Sequence, residues 1–137
     1  MTLTMNAPTN SRNIPRSIGA CVAGFATVAI LSMATDTVLH AMNYYPNDGT
    51  AGSDGQLAFA LAYRTAFTIL GGYIAARLAP SRGMLHAVII GAIGTLAAAG
   101  GAAAMWHVGH NWYAISLAAL ALPSTALGGW LFTRNPR

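Results

Sequence analysis

Three side chains in this sequence carry chemistry that an apolar helix does not need. Asp36 and His40 stand four residues apart, and Arg64 interrupts a second apolar run. On a helix, the first two share one face. A charged residue at the centre of a membrane helix costs about 2.5 to 3.5 kcal/mol on insertion scales, so such groups are expected to satisfy one another or to serve a site. If the two segments run antiparallel, all three lie at similar depths near one surface and are expected to meet. The structural expectation is an Asp36–Arg64 ion pair, hydrogen-bonded further by His40, that fixes the register of the first hairpin. The functional expectation is a proton-responsive or substrate-binding site open to the outer face. A third outcome has Arg64 or His40 snorkelling to the headgroups.

Other titratable groups give weaker signals. His86 opens the third apolar run at the opposite end, too far across a bilayer to join Asp36 directly. Tyr63, Thr65, Thr68, Ser116, Ser124 and Thr125 offer hydroxyls, but in membrane helices these commonly bond their own backbone. His107 and His110 beside Met105 have a spacing that suits a metal, yet Asp48 or Asp54 would have to complete the site from another loop. The turn residues Gly109 and Asn111 fit a loop equally well, and no metal or other cofactor is expected. Cys21 is the single cysteine and lies in an apolar run, where it packs as a small hydrophobe. There is no lysine, hence no phosphate-binding loop of the Gly-x-x-x-x-Gly-Lys type. No nucleophile stands beside a base, so no catalytic residue is assigned and an enzyme is not expected.

The elements that must position these residues follow from composition. Of 137 residues, 55% are hydrophobic and 7% charged, against about 25% charged in soluble domains. Four apolar runs, at about 17–43, 57–79, 84–106 and 112–132, each reach the roughly 20 residues needed to cross a bilayer as a helix. They are twice the length of a barrel strand and lack a period of two. Residues 1–16 are polar and read as a flexible cytoplasmic tail. A leader cleaved after Ser32-Met33-Ala34 competes with a retained first span. It would leave the remaining arginines on conflicting sides.

Arginine placement gives the orientation. Arg12, Arg16, Arg77, Arg82, Arg134 and Arg137 fall on one side of four spans, while Asp48, Asp54, His107 and His110 fall on the other. The positive-inside rule puts both termini in the cytoplasm. Tyr44, Tyr45, Trp106, Trp112 and Tyr113 mark the outer interface. The net charge of +4 comes from these scattered arginines rather than from a stripe, which argues against nucleic acid as a partner.

Small residues recur through the spans: Gly71-Gly72, Gly91, Gly94, Gly100-Gly101 and Gly128-Gly129. The pairs Gly72/Ala76 and Ala97/Gly101 have the spacing that lets helices pack closely, within the bundle or against a second copy. Pro123 lies within the fourth run and frees the carbonyl near Ala119.

The segments Thr35-Asp36-Thr37-Val38-Leu39-His40, Ala62-Tyr63-Arg64, Gly71 to Pro80, Ala121-Leu122-Pro123 and Leu127-Gly128-Gly129 together resemble a group of small bacterial four-span integral membrane proteins that carries no assigned activity. The resemblance covers nearly the whole chain after the tail and implies architecture and a bacterial origin. Small multidrug-resistance exporters share the size and span number. This chain departs from them in lacking a glutamate within its first span.

The expectation is therefore an all-α transmembrane four-helix bundle with both termini inside, its sequential helices antiparallel neighbours. It would be multi-pass in the bacterial inner membrane, with the lipid bilayer and a homo-oligomer or larger membrane complex as partners. The leading functional expectation is a structural or accessory subunit. The alternative is a small transporter or channel whose polar site is Asp36, His40 and Arg64.

Overall fold

The computed structural model describes residues 10–48, 52–104, 106–108 and 110–134. Residues 1–9 of the expected tail, Met105 and Arg137 lie outside them. Four helices follow in order: α1 (Asn10–Ala41), α2 (Asp54–Leu78), α3 (Gly83–Ala104) and α4 (Asn111–Arg134), with a 3-10 turn at Trp106–Val108. At 1.5 Å per residue the shortest, 22 residues, is about 33 Å long, enough for a hydrocarbon core of about 30 Å. All four are long and apolar enough to cross a membrane. The molecule is an all-α four-helix bundle.

The helix ends follow local chemistry. Ser53 caps α2 in an extended conformation, its hydroxyl accepting from the Gln56 amide at 3.3 Å while Gln56 Oε1 accepts from the Ser53 amide at 2.8 Å. This reciprocal box starts α2 three residues before the apolar run does. At the far end of α1, Asn43 takes the left-handed conformation (φ 59°). Its amide then bonds the His40 carbonyl at 3.0 Å and the Tyr44 amide bonds the Leu39 carbonyl at 2.9 Å. Those two bonds are a Schellman termination, for which asparagine is a suitable residue. Pro80 forces Ala79 into extended backbone (ψ 139°) and ends α2.

One boundary differs from expectation. α1 begins at Asn10, so residues 10–16 continue the first helix and the flexible tail does not extend to Arg16. Pro15 lies inside α1. It removes one amide, the one that would bond the Ser11 carbonyl, just beyond the first turn of the helix.

Packing also differs from a ring of sequential neighbours. α2 packs more closely on α4 than on α3, α3 packs chiefly on α4, and α1 rests on α2 with only light contact to α3. Glycines explain the arrangement. A Cβ at Gly71 would strike Val28 and the Gly24 carbonyl of α1, whereas one at Gly72 would strike the Thr125 backbone of α4. Adjacent residues sit about 100° apart on a helix of 3.6 residues per turn, so this one dipeptide serves two neighbours. Gly128 likewise presses on the Ile69 carbonyl of α2, and Gly129 on Ala87 of α3.

The interior is accordingly small. Ala20, Ala60, Ala75, Ala76 and Ala87 are buried, and among the described residues no large side chain is fully enclosed. Large apolar side chains point outward instead, as Met33 (69% exposed) and Leu96 (74%) do. Lipid is their solvent.

Two glycines therefore respond oppositely to a methyl group. Gly72→Ala would place its Cβ 2.7 Å from Thr125 Cα. Overpacking of this kind costs about 1–3 kcal/mol, so the melting temperature in detergent is expected to fall. Gly100 has nothing within 4 Å, and Gly100→Ala is expected to be neutral or stabilising by up to about 1 kcal/mol. Equal melting temperatures for the two variants would contradict this packing.

Candidate functional site

The polar site forms where α1 ends and α2 has completed its first turns. Asp36 is one turn and a half from the end of α1, and its carboxylate meets two side chains of α2. Tyr63 donates its hydroxyl to Oδ1, and Arg64 donates from Nη2 to Oδ2 in an ion pair. The two charged side chains keep 26% and 33% of their surface exposed, so the pair is partly desolvated rather than buried.

His40 takes a different part from the one its spacing suggests. Its Nδ1 donates to the Asp36 backbone carbonyl at 2.7 Å, and its ring lies 5.3 Å from that of Tyr45. The second partner of the carboxylate is thus Tyr63, not His40. The cause is geometric: four residues along one helix, the imidazole reaches back to the carbonyl of the preceding turn.

Tyrosines complete the surroundings. The Schellman turn sends Tyr45, 8% exposed, back over the pair, where its hydroxyl lies 3.3 Å from both the Tyr63 hydroxyl and the Gln56 carbonyl. Phe59, Tyr63 and Phe67 recur at four-residue intervals on α2, with ring centroids 5.3 and 5.9 Å apart, and Tyr44 adds a contact to Phe59 at 5.6 Å. This i, i+4 aromatic series beside Arg64 was the signal in the sequence that singles out Tyr63. From α4, Tyr113 joins Asp36, His40, Tyr45, Tyr63 and Arg64 in lining a cavity of about 210 Å³.

No family model, curated protein or solved structure matches this chain.

The remaining candidates separate. His86 is buried near the start of α3, its Nδ1 3.0 Å from the Arg82 carbonyl, at the opposite end of the bundle from Asp36. At the same end of the bundle as Asp36, Asp54 Oδ1 accepts from His110 at 2.9 Å and from the Trp112 indole at 3.0 Å, which ties the start of α2 to the start of α4. His107 lies on the adjacent 3-10 turn. Among the described residues no three His, Cys, Asp or Glu side chains converge as a metal site would require. Thr68 and Thr125 bond carbonyls of their own helices, while Thr95 donates across to Ala118 of α4 at 3.2 Å. Cys21 is a free thiol beside Phe25 and Ile90.

The contacts around Asp36 are unequal in weight. Asp36→Asn leaves the Arg64 guanidinium without its counter-charge; breaking a buried pair costs about 3–5 kcal/mol, and partial exposure sets the expected loss at the low end. Tyr63→Phe removes one hydrogen bond to a charged group, worth about 1.5–3 kcal/mol. Thermal unfolding in detergent is expected to show both losses. In a double-mutant cycle they should be non-additive, because both act on one carboxylate. Additive losses would separate Tyr63 from the ion pair.

Proposed function

We propose that this chain is a small multi-pass protein of the bacterial inner membrane, with both termini in the cytoplasm, that acts as a structural or accessory subunit of a membrane assembly. The observation that carries this is the state of Asp36. Both of its carboxylate oxygens are taken by side chains of α2, so the one acidic group within a span is engaged in holding α1 on the bundle.

The outer half of α3 supports an assembly role. From Ala97 to Ala104 no side chain is larger than a methyl, and Gly100 and Gly101 have no neighbour within 4 Å. Such smooth faces let a second helix approach closely, and here none from the same chain does. The orientation is supported by charge. Arg16, Arg77, Arg82 and Arg134 sit at the bundle end formed by the start of α1, the end of α2, the start of α3 and the end of α4. Asp48, Asp54, His107 and His110 belong to the other end.

A transporter or channel is favoured by one observation, the cavity bounded by Asp36, His40 and Arg64. Against it, the inner half of the bundle is closed by glycine-to-backbone contacts at Gly24, Gly71, Gly72 and Gly128. A through-path would have to open those contacts.

Purification from native membranes separates these roles. A stoichiometric partner, or a second copy, is expected to accompany the protein, and Gly101→Leu should reduce that association without lowering the melting temperature. Recovery of a lone monomer from mild detergent, together with solute flux in proteoliposomes that Asp36→Asn abolishes, would overturn the accessory role. Orientation is read by cysteine labelling in a Cys21→Ala background. Ser53→Cys should react with an impermeant reagent from outside intact spheroplasts and Arg82→Cys should not.

A further inference from the structure

We propose that the outer cavity binds a small monocarboxylate together with one proton, the proton being held on His40. This goes beyond the accessory role and does not depend on it. The cavity measures about 210 Å³. With about 30 Å³ for each water in the liquid, that is room for a ligand of a few heavy atoms.

The unspent hydrogen-bonding groups define the ligand. Asp36 is fully engaged by Tyr63 and Arg64. Arg64 is not: Nη2 is held by Asp36, while Nε is buried with no acceptor among the described residues. The Tyr113 hydroxyl, on the same wall, makes no hydrogen bond to a described residue. A guanidinium and a phenol with N–H and O–H groups to spare call for an oxygen-rich acceptor. A planar carboxylate matches the guanidinium fork.

His40 supplies the other half. Its Nδ1 lies 2.7 Å from a backbone carbonyl, which can only accept, so Nδ1 carries a hydrogen. In the neutral ring Nε2 is then a bare lone pair, and His40 is on the exposed, outer side of the cluster. The charged and titratable groups around it are Asp36 from α1, Tyr45 from the following turn, Tyr63 and Arg64 from α2, and Tyr113 from α4; α3 contributes none to the lining. Asp36 and Arg64 cancel. A proton on Nε2 leaves the cluster with a single positive charge, which one monoanion neutralises. A cation would face Arg64, and an apolar solute would strand the donors.

Linkage gives the sign. The proton is on the bound form, so affinity falls as pH rises. The full chain in phosphatidylcholine nanodiscs is titrated calorimetrically with sodium acetate, in two buffers of different ionisation enthalpy, with sodium chloride as the control. Saturable acetate binding is expected, with one proton taken up per anion and Kd rising up to about tenfold per pH unit where that uptake is seen. His40→Gln should lose both the proton uptake and the pH slope, and Tyr113→Phe should weaken binding several-fold while leaving the proton count at one. Heats no larger than those of chloride, or acetate binding without proton uptake, would overturn the proposal. The proton count of the unmodified protein decides the matter even if His40→Gln does not fold.

Discussion

Apolar side chains gain nothing by leaving lipid for the inside of a protein, so a bundle in a bilayer must be held by close backbone approach and by polar contacts. Everything else in this structure follows from that constraint. The interior is rich in alanine and glycine, with few larger side chains such as Ile90 and His86, because bulk between helices would push them apart without any compensating transfer from water. Leucine, isoleucine and methionine face outward, where a soluble protein would place serine or lysine. α2 becomes the hub because its Gly71-Gly72 step can receive α1 on one side and α4 on the other.

The two halves of the bundle use different means. Toward the arginine-bearing end, glycine-to-backbone contacts join α1 to α2, α2 to α4 and α3 to α4. Toward the other end these contacts give out. There α1 is held by Asp36 on Tyr63 and Arg64, and Thr95 makes the last cross-link from α3 to α4 before the helices part around a groove lined by Ala99, Ala103, Ile115 and Ala119. Ala119 is also the residue whose carbonyl Pro123 deprives of an amide partner. The bundle is thus close-packed toward its arginine-bearing end and looser toward the end that carries Asp36.

Much of this was legible in the residues, and the failures have physical causes. Four apolar runs of bilayer length could only be helices, because backbone groups in lipid must be bonded internally. The meeting of Asp36 with Arg64 followed from an antiparallel hairpin and the cost of a lone charge in lipid. What spacing alone left open was which side chain would complete the carboxylate. An i, i+4 histidine shares the aspartate's face but also reaches its carbonyl, and the carbonyl won. Nor did spacing rank the glycine pairs. Gly72/Ala76 is buried against α4, whereas Ala97/Gly101 has the same period and Gly101 meets nothing. The difference comes from how α3 and α4 diverge, a tertiary property that no local window contains. The start of α1 was missed because polar composition suggested a tail, while helix continuation needs only backbone bonds.

The engagement of Asp36 also constrains what its surroundings can do. A carboxylate already paired is a poor site for a second cation, since any newcomer must displace a guanidinium whose planar fork is held beside it. His40, its Nδ1 spent on a backbone carbonyl, keeps Nε2 as an acceptor beside that pair. The pair fixes α1 against α2. Tyr45 closes over the pair, and Tyr113 lines the same cavity from α4.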